Sequence, residues 1–110
     1  MNKEITVSRT EIAVAFRLAL EALRSKGSSS YVCHLLAMVY SAKLITAEQC
    51  DAARDVIEQR LGGSATYGAW LEKNHPKLWH RMRLTPWLFA KVLFEGRVLW
   101  LESLVEEFSK

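Results

Sequence analysis

At 110 residues the chain is long enough for one hydrophobic core and too short for two, so a single helical domain spanning 1–110 is expected. Half of the residues are apolar and a quarter are charged, with two prolines and five glycines, which argues against long irregular loops and against disorder outside the N-terminal few residues and Gly27–Ser30. A formal net charge of +3 is too small to imply a nucleic-acid partner by itself. Ser8-x-x-Glu11 reads as a capping box, with Val7 and Ile12 as its hydrophobic staple. Ile12, Phe16, Ala19, Leu20 and Leu23 then repeat at helical spacing, and Gly27 stands where a left-handed C-terminal cap belongs. Ser30 is placed to cap a second helix, Tyr31–Ala42, which is apolar almost all round and is therefore expected to run through the centre.

Thr46-x-x-Gln49 is a second capping box, with Ile45 and Cys50 as the staple pair. The helix after it runs to Leu61, buries Cys50, Ala53, Ile57 and Leu61, and is stopped by Gly62-Gly63. Thr66 starts a short helix, Tyr67–Lys73, which Asn74 and Pro76 end. Thr85-Pro86 is an N-cap followed by a first-turn proline. From there a final helix extends to about Phe108, with Gly96 as a kink or close-packing point. The expected fold is all-α: a compact bundle of about five helices ending in a long C-terminal helix. That last helix carries apolar residues on more than one face, so a second copy or a partner is expected to cover the excess.

No targeting or membrane segment is legible. Arg17 and Glu21 interrupt the run Ile12–Leu23, and Lys91, Glu95, Arg97 and Glu102 interrupt Leu84–Val105. A cytoplasmic protein is the expectation. Cys33 and Cys50, in an antiparallel helical hairpin, would be offset by roughly 8–9 Å along the axes. The helices would also stand about 8–10 Å apart, whereas a disulfide needs Cα atoms within about 7 Å. Two buried thiols without a cross-link are expected.

Function is sought in four places. Residues 31–42 and 47–61, joined by Lys43–Thr46, have the spacing of a helix–turn–helix. The second of these helices, however, shows Glu48, Asp51, Asp55 and Glu58 at i, i+3, i+7 and i+10, a stripe that would repel phosphates. A plain hairpin with a solvated acidic face, partly neutralised by Arg54, is the simpler reading; docking of a basic partner is the functional one. Cys33, His34, Cys50, His75 and His80 lack metal-site spacing: there is no C-x-x-C, and five positions put His75 and His80 about 140° apart on a helix. No metal and no cofactor is expected.

The fourth place is the basic segment Lys73–Trp87. Lys77, Arg81 and Arg83 are interleaved with Trp79 and Trp87, as in an aromatic-anchored protein interface or a phosphate-contacting, base-stacking surface. In the structural alternative Trp79, Met82 and Leu84 belong to the core and the cations are solvated. Catalysis has no comparable signal. There is no Gly-rich phosphate loop and no G-x-S-x-G, and the carboxylates Glu102 and Glu106 fall on an exposed face, so an enzyme is not expected.

Several stretches together resemble a small helical accessory protein of tailed bacteriophages and prophages. They are Tyr31-Val32-Cys33-His34, Leu44-Ile45-Thr46, Val56-Ile57-Glu58-Gln59-Arg60-Leu61-Gly62, Thr66, Ala69-Trp70-Leu71, and the ending from Arg97 to Phe108. The resemblance covers residues 31–108 and brings no catalytic residue. The N-terminal helix and the basic stretch Asn74–Pro86 stand outside the pattern. The resemblance implies a phage-encoded protein of the host cytoplasm that binds and blocks a host protein or ribonucleoprotein, such as a CRISPR or other defence complex, by surface occlusion. The alternative is a small nucleic-acid-binding protein using residues 73–97; a homodimeric structural module is the third reading.

Overall fold

The structure, a computed structural model, describes residues 7–26, 32–61, 70–84 and 89–110, apart from the side chains of residues 26, 33, 60, 61, 82 and 89–93. Helices α1 (Arg9–Lys26), α2 (Val32–Ser41) and α3 (Ala47–Leu61) are followed by helical residues 70–74 (α4), then α5 (Pro76–Leu84) and α6 (Phe89–Phe108). No strand occurs among the described residues, and the architecture is an all-α bundle closing on a long C-terminal helix. The expected caps at Gly27, Ser30, Gly62-Gly63, Thr66 and Thr85-Pro86 lie outside the described residues.

Both capping boxes form. The Glu11 amide donates to Ser8 Oγ at 3.1 Å, and the Ser8 amide donates to Glu11 Oε1 at 3.2 Å. At α3 the Gln49 amide donates to Thr46 Oγ1 at 3.1 Å, and the Thr46 amide to Gln49 Oε1 at 2.9 Å. Each box satisfies amides that the first helical turn leaves without an intrahelical acceptor. Gln49 also donates through Nε2 to the Glu11 carbonyl at 3.1 Å, which ties the start of α3 to the start of α1.

The central helix is α1, not α2. It packs most extensively on α6 and also contacts α2 and α3. Its sequence explains why: Ala13, Ala15 and Ala19 are buried beside Phe16, Leu20 and Leu23, so neighbours approach closely on several sides while the large side chains fill the space between them. The expectation that α2 runs through the centre is corrected here. Val32, Leu35, Leu36 and Val39 are buried, but Ala37 is exposed, Met38 is 39% exposed and Tyr40 46%. An apolar composition with no polar stripe cannot say which face meets the core; the buried face of α2 is the one at i, i+3, i+4 and i+7. On α3, Cys50, Ala53 and Ile57 are buried as expected. Cys50 is a buried thiol whose Sγ lies 3.9 Å from the Leu36 carbonyl oxygen.

Two contacts fix α6 against α1. The Phe16 and Phe108 rings sit 5.9 Å apart at 54°, a tilted pair favoured by ring quadrupoles. The Arg9 guanidinium lies 4.5 Å from the Phe108 ring centroid, and its Nη2 donates to the Glu107 carbonyl at 2.9 Å. That carbonyl is one of the orphan acceptors at the C-terminus of α6, where a cation is also favoured by the helix dipole. Farther along, Arg24 pairs with Glu102; both side chains are about half exposed, so the pair contributes little.

The α2–α3 turn holds the one non-glycine residue with positive φ among the described residues, Lys43 at 63°. Its amide donates to the Tyr40 carbonyl at 2.9 Å and the Leu44 amide to Val39 at 3.0 Å. This is a Schellman motif with lysine at the position usually held by glycine. A Cβ in that conformation costs on the order of 1 kcal/mol. Lys43→Gly is therefore expected to stabilise the chain by about 0.5–1 kcal/mol, seen as a higher denaturant midpoint at unchanged slope. A lower midpoint would show that the lysine side chain contributes more than its backbone strain costs.

Candidate functional site

Residues 76–84, part of the basic segment Lys73–Trp87 to which the sequence pattern assigns no helix, form the helix α5. His75 is the junction: its amide donates to the Leu71 carbonyl at 2.8 Å, closing α4, and its own carbonyl accepts from Trp79 at 3.0 Å, opening α5. Pro76 then takes the first helical position, where the missing N–H matters least. Asn74 Nδ2 caps the Trp70 carbonyl at 2.9 Å, and the Trp70 and His75 rings lie 5.4 Å apart. Leu71, fully buried, anchors α4. Arg81 and Arg83 fall in the last turn of α5, where positive charge complements the helix dipole.

The helix sorts the candidate residues onto different faces. Lys77, His80, Arg81 and Leu84 stand at i, i+3, i+4 and i+7, so they share one side. All four are exposed, Leu84 at 63%. Arg83 is exposed too, but it lies about 200° round the helix from Arg81. It shares a side with Trp79, four positions before it. Trp79 is half-buried, and its Nε1 is buried with no hydrogen-bond partner among the described residues. Trp87 lies outside the described residues. The structure thus brings Lys77 and Arg81 together and sets Arg83 and Trp79 apart from them. Leu84, placed in the core by the structural alternative, is a surface residue instead.

Beside the outward face runs an open groove of about 740 Å³ between α5 and the first half of α6. Lys77, Leu78 and Arg81 line it from α5; Phe94, Glu95, Val98 and Leu99 line it from α6; Arg24 reaches it from α1. Its walls are mostly apolar, since Leu78, Phe94, Val98 and Leu99 are half-buried rather than covered. The only carboxylate among these lining residues is Glu95, set against Arg24, Lys77 and Arg81. The apolar excess of α6 is divided: Trp100, Leu101, Leu104 and Phe108 are buried, and the helix has packing partners in both α1 and α5. Gly96 is buried, in keeping with a close-packing role. Arg97 is buried as well, the one buried charged residue among the described residues.

The acidic stripe is where its spacing puts it. Asp51, Asp55 and Glu58 are exposed on α3 and Glu48 is half-buried, with exposed Arg54 among them. Among the described residues no three of His, Cys, Asp or Glu come together as a metal site would require. No described helix is long and apolar enough to cross a membrane. Compared with protein-family models, curated proteins and solved structures, the chain matches none of them.

Proposed function

We propose that this chain is a non-enzymatic binding protein of phage type, which acts in the host cytoplasm by covering a surface of a host protein or ribonucleoprotein complex. A CRISPR or other defence effector is the class of target that the resemblance to phage accessory proteins suggests. The observation that carries the reading is the outward face of α5. There Lys77, His80 and Arg81 surround a largely exposed Leu84, beside an apolar groove. Cations around an exposed apolar residue are what a protein contact uses for orientation and anchoring.

The second reading, nucleic-acid binding, is favoured by the exposed cations Lys73, Lys77, Arg81 and Arg83. Against it, Trp79 is half-buried with its indole nitrogen inside, which takes away much of the ring that would stack on a base. Affinity capture from bacterial lysate separates the two. On the first reading, a protein is retained after nuclease treatment and across a rise from 50 to 200 mM salt, and a Lys77→Glu/Arg81→Glu variant fails to retain it. Retention that collapses with nuclease, or falls about a hundredfold with salt, would assign the face to phosphates.

A further inference from the structure

We infer that α5 is a separable arm: it comes off α6 as a unit, from His75 onward, while α1, α2, α3 and the second half of α6 stay packed. Among the described residues, neither the hydrophobic core nor the apolar rim packed against it contains a residue of α5. Of the described side chains of α5, only Leu78 and Trp79 are even half-covered. Of α1, α2, α3 and α6, only α6 makes an extensive contact with α5, whereas α1 meets α2, α3 and α6. The α5–α6 contact is itself loose. A groove of about 740 Å³ lies between the two helices and leaves Leu78, Phe94, Val98 and Leu99 half-buried, so dispersion contacts that close packing would supply are missing there. Trp79 Nε1 is also buried with no hydrogen-bond partner among the described residues, an unmet donor that weakens the docked state.

The break with the rest of the chain lies at His75. Leu71 is fully buried and holds α4 in place. Pro76 has no N–H, and Lys77 and Leu78 follow it in a first turn whose amides have no intrahelical acceptor. The first bond of α5 is therefore the one from the Trp79 amide to the His75 carbonyl, at 3.0 Å. No helical ladder carries rigidity from α4 into α5, so α5 opens without disturbing Leu71. Segments with few buried apolar contacts open at lower free energy than the core, and they do so cooperatively. The inference concerns the unbound chain and stands apart from the protein-binding reading. It adds that the α5 face has two states, and that a partner touching both α5 and α6 selects the docked one.

The test is native-state amide hydrogen exchange of the full chain, without a partner, in rising sub-denaturing urea, followed residue by residue by NMR. Residues 79–84 are expected to be protected at least about tenfold less than the slowest amides of α1 and α3. They should share one urea slope, above zero and below that of α1, because the slope measures the surface exposed in the opening. Ile57, buried on α3, supplies the variant that separates arm opening from global unfolding. Its packing is the same whether α5 is docked or not. Ile57→Ala should therefore speed exchange in α1 and α3 about thirtyfold or more, and change residues 79–84 less than about threefold. Should Ile57→Ala not fold, Ile57→Val gives the same contrast at about two- to tenfold, with residues 79–84 unchanged. The inference is overturned if residues 79–84 share the protection and slope of α1, or if the Ile57 variants speed them equally, since α5 would then open only with the whole domain. It is also overturned if their protection grades from one end of α5 with no urea slope, which is fraying.

Discussion

Replacing Phe16 by alanine is expected to cost about 3–5 kcal/mol, a large share of the stability of a domain of this size. Phe16 is fully buried at the middle of α1, the helix that α2, α3 and α6 all contact, and its ring packs on Phe108. Truncation removes the transfer free energy of the ring and leaves a cavity, and the alanines beside it are too small to collapse into the space. A domain of this size has on the order of 5–15 kcal/mol in total. Chemical denaturation followed by circular dichroism measures the loss. By contrast, Glu102→Gln, which breaks the half-exposed pair with Arg24, should cost less than about 1 kcal/mol. A Phe16→Ala loss below about 1.5 kcal/mol would mean that the α1–α6 interface is not the centre of stability.

The Lys77→Glu/Arg81→Glu double reversal is expected to weaken partner binding by two orders of magnitude or more, about 3 kcal/mol, while leaving the fold intact. Both residues are exposed, and such positions usually shift stability by no more than about 0.5 kcal/mol each. At an interface, the reversal exchanges attraction for repulsion and leaves the partner's groups without their contacts. Arg83→Glu places half that charge change on the same helix, about 200° round from Arg81, and should cost less than about threefold if contact rather than overall charge matters. Asp51→Lys with Asp55→Lys is the distant control. Isothermal titration against the captured protein gives all three numbers. Equal losses from the Arg83 and Lys77/Arg81 variants would reduce the effect to general electrostatics. A larger loss from the Asp51/Asp55 variant would move the site to α3.

The fold was legible where local chemistry and burial agree. Ser8-x-x-Glu11 and Thr46-x-x-Gln49 announce the starts of α1 and α3, because a short polar side chain followed by a longer one three residues on can close two hydrogen bonds locally. The inward faces of both helices follow from spacing. α2 was misplaced for the converse reason: with apolar residues all round, periodicity holds no information about direction, and only the packing of α1 decides that Met38 and Tyr40 face outward. Lys43 in a left-handed conformation has no signal, since glycine or asparagine would be expected there.

The candidate site was half legible. Lys77 and Arg81 stood out as cations near tryptophans, but their partnership depends on α5 being a helix. The sign was available: Pro76 at a first helical position, with Lys77, Arg81 and Leu84 at helical spacing after it. By composition the segment is a run of cations and tryptophans, with no helix assigned to it. Reading it as a chain of cations rather than a helix grouped Arg83 with Arg81 and left out His80 and Leu84. The groove was not legible at all, since it depends on how α5 folds back on α6, which no local pattern states.

Amide hydrogen exchange of the full chain, alone and bound to the protein it captures, bears most directly on the claim that α5 is the contact surface. Binding through this face should slow exchange along Pro76–Leu84 and the adjoining first half of α6, and leave Ala47–Leu61 unchanged. Protection confined to Ala47–Leu61, with α5 exchanging as it does in the unbound chain, would contradict it.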